Sequence, residues 1–466
     1  MTLNIPHKDR PCVVIVGGGC AGLRLAIALA GTEYQVVLID RNNHHQLSPL
    51  LPAVVSGRLD VDEASLSIRE LLRPFGSDIQ FRMAEVQRVR PAEKRIETSA
   101  GILGYDFLVI ATGTKPRCIP MQKSANLIPA GRLNDTLAIR YRIVRNFEQA
   151  LLTRNRAERQ SYLSFVVVGG DETGAALAAT LARTVHRLTK EEYPDSFGED
   201  VCVYLIESGP RLVRQFSETG SERLYRELAN LGVKIMCRTT AVACKGCRLI
   251  FQDGSYLSSR CIIWSADRRG EIPEGFEGNA ITESGRLTVD PFLQVAGYDR
   301  IFAIGEVAQI RTPETDAPRR TAPHEGIGQA RTLAATLRAR LKHDAPVSYR
   351  IRTQPIVVPL GDAEAITEQK SHTVCGFAAW RSWLADTLRI APPGKRLRTL
   401  RLALKSALGS PKYTRPIPHE EFCSDRPKHA ANAVSGARIK KSRRKTAETQ
   451  PILCTFVHRT YPKHVQ

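Results

Sequence analysis

The apolar positions of this chain gather into short runs. Residues 12–16, 36–39, 105–111, 165–168, 201–206, 262–266 and 301–304 are such runs, and most end at a glycine or a carboxylate. Unbroken runs of this length predict strands buried on both faces, the pattern of a parallel sheet. Residues 23–30 and 175–188, after the first and fourth runs, read as helices. Strand, turn and helix in this alternation predict an α/β protein with two Rossmann-like dinucleotide-binding domains. A mainly polar helix over 133–159 is expected to bridge them.

The turns carry the chemistry. Gly17-Gly18-Gly19-Cys20-Ala21-Gly22 follows the first run. In a strand–turn–helix setting, Gly17 permits the tight turn and Gly19 lets the backbone approach a pyrophosphate. Gly22 lets the helix pack closely on the strand. The helix's first amides then face the anion. The second run ends in Asp40, at the spacing of a carboxylate that binds a ribose 2′-hydroxyl. A plain glycine turn is the alternative; strand, helix and acid in register favour a nucleotide.

The arrangement repeats downstream. Gly169-Gly170-Asp171-Glu172-Thr173-Gly174 follows the fourth run, and the 201–206 run ends in Glu207. A carboxylate there disfavours a dinucleotide with a 2′-phosphate, which it repels. Asp171 replaces the middle glycine, beside Glu172, and adds bulk and like charge where a pyrophosphate must approach. A working dinucleotide site and a fold that has lost it both stay open.

The balance of charge widens the list of partners. The 466 residues carry a formal charge of +20. That points to a membrane surface, nucleic acid or a phosphate-bearing ligand. Eleven cysteines form no paired framework and read as reduced thiols in a cytoplasmic setting. The first ten residues are polar and broken by Pro6, unlike a secretory signal. No uninterrupted apolar stretch is long enough to span a bilayer, so membrane contact is expected to be peripheral.

Phe377, Trp380, Trp383, Leu384 and Leu388 recur at helical spacing, as do Leu397, Leu400, Leu404 and Leu408, among many Arg and Lys. Such helices lie in a membrane interface or dock on the protein's own core; the tryptophans favour the membrane. Residues 410–466 hold twelve Lys and Arg against four Asp and Glu, including the run from Arg438 to Lys445. This tail is expected to be disordered and to reinforce binding to anionic lipid, or to nucleic acid without specificity.

Thr112-Gly113 after the 105–111 run and Gly305-Glu306 after the 301–304 run resemble the pyridine-nucleotide:flavin oxidoreductases. The resemblance implies that the first site binds FAD, through Gly17 to Gly22, Asp40, Arg41, Ala111, Thr112, Gly113, Gly305 and Glu306. The late acid, which bonds the ribityl chain in that family, is usually Asp. The second site would bind NADH through Gly169, Gly170, Thr173, Gly174, Glu207 and Ala266.

No cysteine lies between Arg41 and Leu51, where disulfide reductases carry their redox pair. That stretch, the Asp40-Arg41-Asn42-Asn43-His44-His45 run, Thr173-Gly174, Trp264-Ser265-Ala266 and Gly376-Phe377-Ala378-Ala379-Trp380 are similar to type II NADH dehydrogenases, over roughly residues 10–409. The resemblance implies an FAD domain split into 10–116 and 281–360. A NAD-type domain with its bridging helix (117–280) is inserted between them. A membrane-associated region (361–409) and the basic tail (410–466) follow.

The implied reaction carries electrons from NADH through FAD to a membrane quinone, without proton pumping, at the cytoplasmic face. The flavin carries the chemistry, so no catalytic base and no metal are assigned. A homodimer is compatible; no specific nucleic acid is expected.

Three departures stand against this. Ala176 replaces a family glutamate, Asp171 and Asp267 replace glycines, and the quinone-side helix keeps only His324 and Gln329 as candidates. Two alternatives follow: a flavoprotein with another donor or acceptor, or a non-catalytic FAD-binding regulatory protein. Cys244-Lys245-Gly246-Cys247 reads as a hairpin turn, and Cys118 and Cys375 as weak flavin-side candidates.

Overall fold

The computed structural model describes residues 2–6, 9–117, 124–194, 197, 200–310, 323–351, 355–369 and 372–409. Two five-stranded parallel sheets form its frame. The first has the spatial order Ile301–Ala303, Phe107–Ile110, Cys12–Val16, Gln35–Asp40, Ile79–Met83. The second has the order Leu127–Pro129, Cys261–Trp264, Ser164–Val168, Cys202–Ile206, Val233–Met236. Each glycine turn therefore leaves the central strand of its sheet. Val13, Val14 and Ile15 in one, and Phe165, Val166 and Val167 in the other, are wholly buried, as strands covered on both faces must be.

The sheets differ in where their last strand comes from. Ile301–Ala303 joins the first sheet after the whole second sheet has passed. Leu127–Pro129 precedes every other strand of the second. Each sheet is accompanied by a three-stranded antiparallel one. Cys244 and Cys247 flank the hairpin turn of the later of these, where Gly246 has φ +61°. Both thiols are free, as are the other described cysteines.

Helix α1 (Cys20–Leu29) follows the first turn. The single helix expected over 133–159 is two, α2 (Leu133–Leu152) and α3 (Arg156–Leu163). The break has a local cause: Asn155 turns its side chain back to accept the Glu158 N–H at 3.1 Å, capping α3. Nor is α2 polar all round. Ile139, Ile143 and Phe147 are buried, and Phe147 stacks on Phe165 at 6.0 Å. Helix α4 (Glu172–Glu191) follows the second turn, and α5 (Pro323–Leu341) packs against α1.

Asp135 caps the start of α2 by accepting the Arg132 N–H at 3.0 Å. Burial pushes its carboxyl up to about 6 from 3.8, against the pull of that hydrogen bond and of Arg132 and Arg268. Between pH 3.8 and about 6 the folded chain thus keeps a proton that the unfolded chain has lost. Stability falls as pH rises through that window, at about 1.4 kcal/mol per pH unit and by up to roughly 3 kcal/mol. Urea melts across pH 4–6.5 are expected to show this slope in the wild type and not in Asp135→Asn. Parallel slopes in the two proteins would refute it.

Strands Val357–Gly361, Glu364–Gln369 and His372–Gly376 form an antiparallel meander, so a domain boundary after residue 360 falls inside a strand. Two helices follow, α6 (Phe377–Ile390) and α7 (Arg396–Leu408). Most of the expected stripe on α6 turns inward, although Phe377 at its start stays 61% exposed. Trp380 and Trp383 are 5% and 8% exposed and belong to the core of the first sheet, with Ala379, Leu402 and Ala403. Tryptophan suits a core as well as an interface, and its spacing does not distinguish them. Among the described residues, no helix is long and apolar enough to cross a membrane.

Candidate functional site

At the first turn the chain is as close as backbone allows. Gly17 has φ +111°, and a Cβ there would stand 2.4 Å from Ala111 O. A Cβ on Gly22 would stand 1.9 Å from Gly17 O. Helix α1 then begins at Gly19 with no side-chain cap and no acid in its first turn. A Cβ on Gly19 meets nothing within 4 Å. Asp40 accepts the Gly18 N–H at 2.6 Å and the Asn42 N–H at 2.7 Å, which fixes its carboxylate beside the turn. Burial pushes the Cys20 thiol up to about 11, so it is a protonated wall residue and no redox nucleophile.

Thr114 and Arg268, which no motif singled out, and His45 of the Asp40–His45 run complete this wall. Thr114 Oγ1 donates to Glu306 at 2.5 Å, and Arg268 Nε donates to the same hydroxyl at 3.0 Å. Arg268 Nε lies 4.0 Å from the Glu306 carboxylate. His45 is 2% exposed, and its Nδ1 lies 3.0 Å from Gly18 O. Burial lowers its pKa and keeps the ring neutral. With Nδ1–H donating to Gly18 O, the buried Nε2, which has no protein partner, is left as an acceptor. His45 was legible in the Asp40–His45 run; Thr114 and Arg268 carried no local signal.

Arg41 lines the cleft but is held in a bidentate pair with Glu271, at 2.8 and 2.6 Å. Arg132 reaches Glu271 at 2.7 Å. Burial raises the Glu271 pKa, but the Arg41 hydrogen bond and the charges of Arg132 and Arg41 outweigh it and hold the carboxyl below its usual range. Gln329 is fully buried on α5 and accepts the Gly305 N–H at 2.6 Å. It is therefore no surface residue, and it does not line the cleft. His324 does line the cleft.

The second turn copies the first up to one residue. Gly169 has φ +113° and packs on Ala266, and a Cβ on Gly174 would stand 1.8 Å from Gly169 O. Glu207 accepts the Gly170 N–H at 2.7 Å, as Asp40 accepts that of Gly18. The difference is Asp171, whose Oδ1 accepts the Thr173 and Gly174 N–H groups at 3.1 and 2.9 Å. Asp267 is harmless by comparison. It sits at φ +48°, a left-handed turn that aspartate tolerates. Its exposed carboxylate lies 3.7 Å from Arg117, away from the cleft wall.

One cleft of about 2330 Å³ joins these parts. The first motif lines it except for Gly22, together with Asp40, Arg41, Ala111, Thr112, Gly113, Gly305 and Glu306. From the second unit Glu172, Thr173 and Ala176 line it, while Gly169, Gly170, Gly174, Glu207 and Ala266 form the adjoining turn outside its lining. Trp383, Asp386 and Thr387 of α6 line it too. Uncapped amides, open space at Gly19, a fixed carboxylate and an orphaned buried acceptor fit a flavin dinucleotide at the first turn. Cys375 does not line the cleft. Cys118 and the basic tail lie outside the described residues.

Known proteins place this geometry. A type II NADH:quinone oxidoreductase, NdhA of Mycobacterium tuberculosis, is 25% identical over 394 residues, covering 80% of this chain and 82% of that relative. The type II NADH:quinone oxidoreductase of Haemophilus influenzae is 26% identical, over 76% of this chain and 86% of its own. The fold matches NDH2 from Plasmodium falciparum, solved in complex with NADH, with a TM-score of 0.76 at 18% identity, over 87% of this chain and 100% of that one. The family model for pyridine nucleotide-disulphide oxidoreductases matches residues 11–332, and the chain belongs to that family.

Proposed function

We propose that the chain oxidises NADH and passes the electrons through bound FAD to a quinone at the cytoplasmic face of a membrane. The observation that carries this is the single cleft. It is lined by the uncapped first turn, by Thr173 and Ala176 of the second unit, and by Trp383 and Thr387 of α6. Relatives bearing that activity in their names align over most of the chain.

Flavin supplies hydride acceptance and electron transfer, chemistry that no side chain of the cleft offers. The chain's own residues bind and orient. The Gly17–Gly22 turn and the first amides of α1 take the FAD diphosphate, and Asp40 takes the adenosine ribose. Glu306, fixed by Thr114 and Arg268, would hold the ribityl chain. Glu207 takes the ribose of NADH and disfavours a 2′-phosphate. Ala176 offers no proton, so protons reach the quinone by another route.

Membrane contact is assigned to α7. Leu397, Leu404 and Leu408 point outward at 74%, 38% and 75% exposure, among exposed Arg396, Arg398, Arg401 and Lys405. An apolar stripe flanked by cations is the pattern of a helix lying on anionic lipid. With α6 turned inward, this face is narrower than the sequence alone suggested.

Anaerobic stopped-flow mixing of the flavin-loaded protein with NADH tests the reading. The yellow absorbance is expected to bleach and to return when a quinone in liposomes is added. Bleaching by dithionite but not by NADH would reject it in favour of another donor.

A further inference from the structure

We infer that Asp171 is a built-in competitor for the dinucleotide's diphosphate, and so sets how tightly this chain takes up NADH. The inference rests on the NADH reading given above. The chain supplies its own control, because it builds the same turn twice. Both turns open on a glycine of positive φ, close on a glycine pressed against the first one's carbonyl, and tie their second amide to the acid at the end of the next strand.

They part at the residue where the helix starts. In the first unit this is Gly19, which leaves the amides of α1 uncapped and the space before them open. In the second it is Asp171, whose Oδ1 holds the amides of Thr173 and Gly174, with Ser265 Oγ at 3.4 Å from the same oxygen. Those two amides correspond to Ala21 and Gly22 in the first unit, the donors that face an anion there. A diphosphate arriving at the second turn therefore meets donors already engaged by a group of its own sign. It must displace the carboxylate, and Glu172, which lines the cleft next door, adds to the repulsion.

The penalty is local. Glu207 keeps the same grip on its turn that Asp40 has, so the adenosine end of a ligand is still recognised. Adenosine should be indifferent to Asp171, and only ligands that carry a diphosphate should feel it. A merely structural cap would not sort ligands in this way.

The test is isothermal titration of the flavin-loaded protein with adenosine and with ADP-ribose, neither of which reduces flavin. Asp171→Gly is expected to tighten ADP-ribose by roughly 10- to 100-fold, and to leave adenosine unchanged. Asp171→Asn retains a capping oxygen and removes the charge, so it guards against loss of the helix and should fall between. Equal tightening of both ligands, or no tightening of ADP-ribose in either folded variant, overturns the inference. If ADP-ribose tightens but NADH still fails to bleach the flavin, the competitor stands and the NADH reading falls.

Discussion

Gly22→Ala is expected to purify without flavin, whereas the matched Gly174→Ala keeps its flavin and loses reduction by NADH. The added Cβ at residue 22 would stand 1.9 Å from Gly17 O, 3.1 Å from its carbonyl carbon and 3.2 Å from Ala111 Cβ. Two of these are backbone atoms of the turn itself, so no side chain can swing aside. Helix α1 has to back away from the Cys12–Val16 strand by more than 1 Å. Overpacking of this kind costs about 1–3 kcal/mol in an ordinary core, and here it also moves the amides meant for the diphosphate. Gly174 is as tight, at 1.8 Å from Gly169 O. The same injury is thus placed at either turn, and only the site it damages differs. The flavin-to-protein absorbance ratio after desalting reads the first effect, and stopped-flow bleaching reads the second. A Gly22→Ala protein with a full flavin complement would show that the first turn is not where FAD is held.

These turns were legible because what makes them is close in sequence: an apolar strand, glycines, a helix and an acid at the end of the next strand, 22 residues after Gly18 and 37 after Gly170. What the sequence hid depends on contacts between distant segments. Thr114, Arg268 and Glu306 meet across 154 and 192 residues, and no spacing announces them. Gln329 looked like a surface or quinone residue because only the fold shows that it faces Gly305. Helical periodicity revealed two faces on α6 and α7 but not which face docks. Trp380 and Trp383 are drawn inward to finish the core, leaving Leu397, Leu404 and Leu408 outside. The bridging helix was read as one piece because a single asparagine, able to cap as well as to sit within a polar stretch, decides the break.

Asp362→Ala is expected to destabilise the fold by about 2–3 kcal/mol and to free α7. Asp362 occupies the tight turn after the Val357–Gly361 strand, and both Arg58 and Arg183 bond to its carboxylate. Arg58, 9% exposed, also donates to Ser406 O at 3.0 Å and Ala407 O at 3.3 Å, the last turn of α7. Arg183 lies on α4 and donates to Leu360 O at 2.7 Å. One carboxylate therefore fastens the first unit, the second unit and the C-terminal helix together. Its removal leaves Arg58 facing Arg183 without a carboxylate of its own, while Arg183 keeps Glu364. Loss of one partner of a fully buried pair costs about 3–5 kcal/mol; the Asp362 side chain is 35% exposed, and solvent trims the figure. Burial raises the Asp362 pKa, but the Arg58 hydrogen bond and the charges of Arg58, Arg183 and Arg187 outweigh it. The contribution is therefore complete above pH 3.8 and fades as pH falls through the lowered value. Asp362→Asn should lose most of the same stability at neutral pH, which assigns the effect to charge rather than to packing. Trypsin should then cut sooner at Arg398, Arg401 and Lys405. Unchanged melts and an unchanged digestion pattern in both variants would show that α7 is held by its apolar face alone. If the clamp acts as described, α7, the helix proposed to meet lipid, and α4, which carries Thr173 and Ala176, share one anchor, and a displacement of α7 reaches the dinucleotide cleft through Arg58 and Arg183.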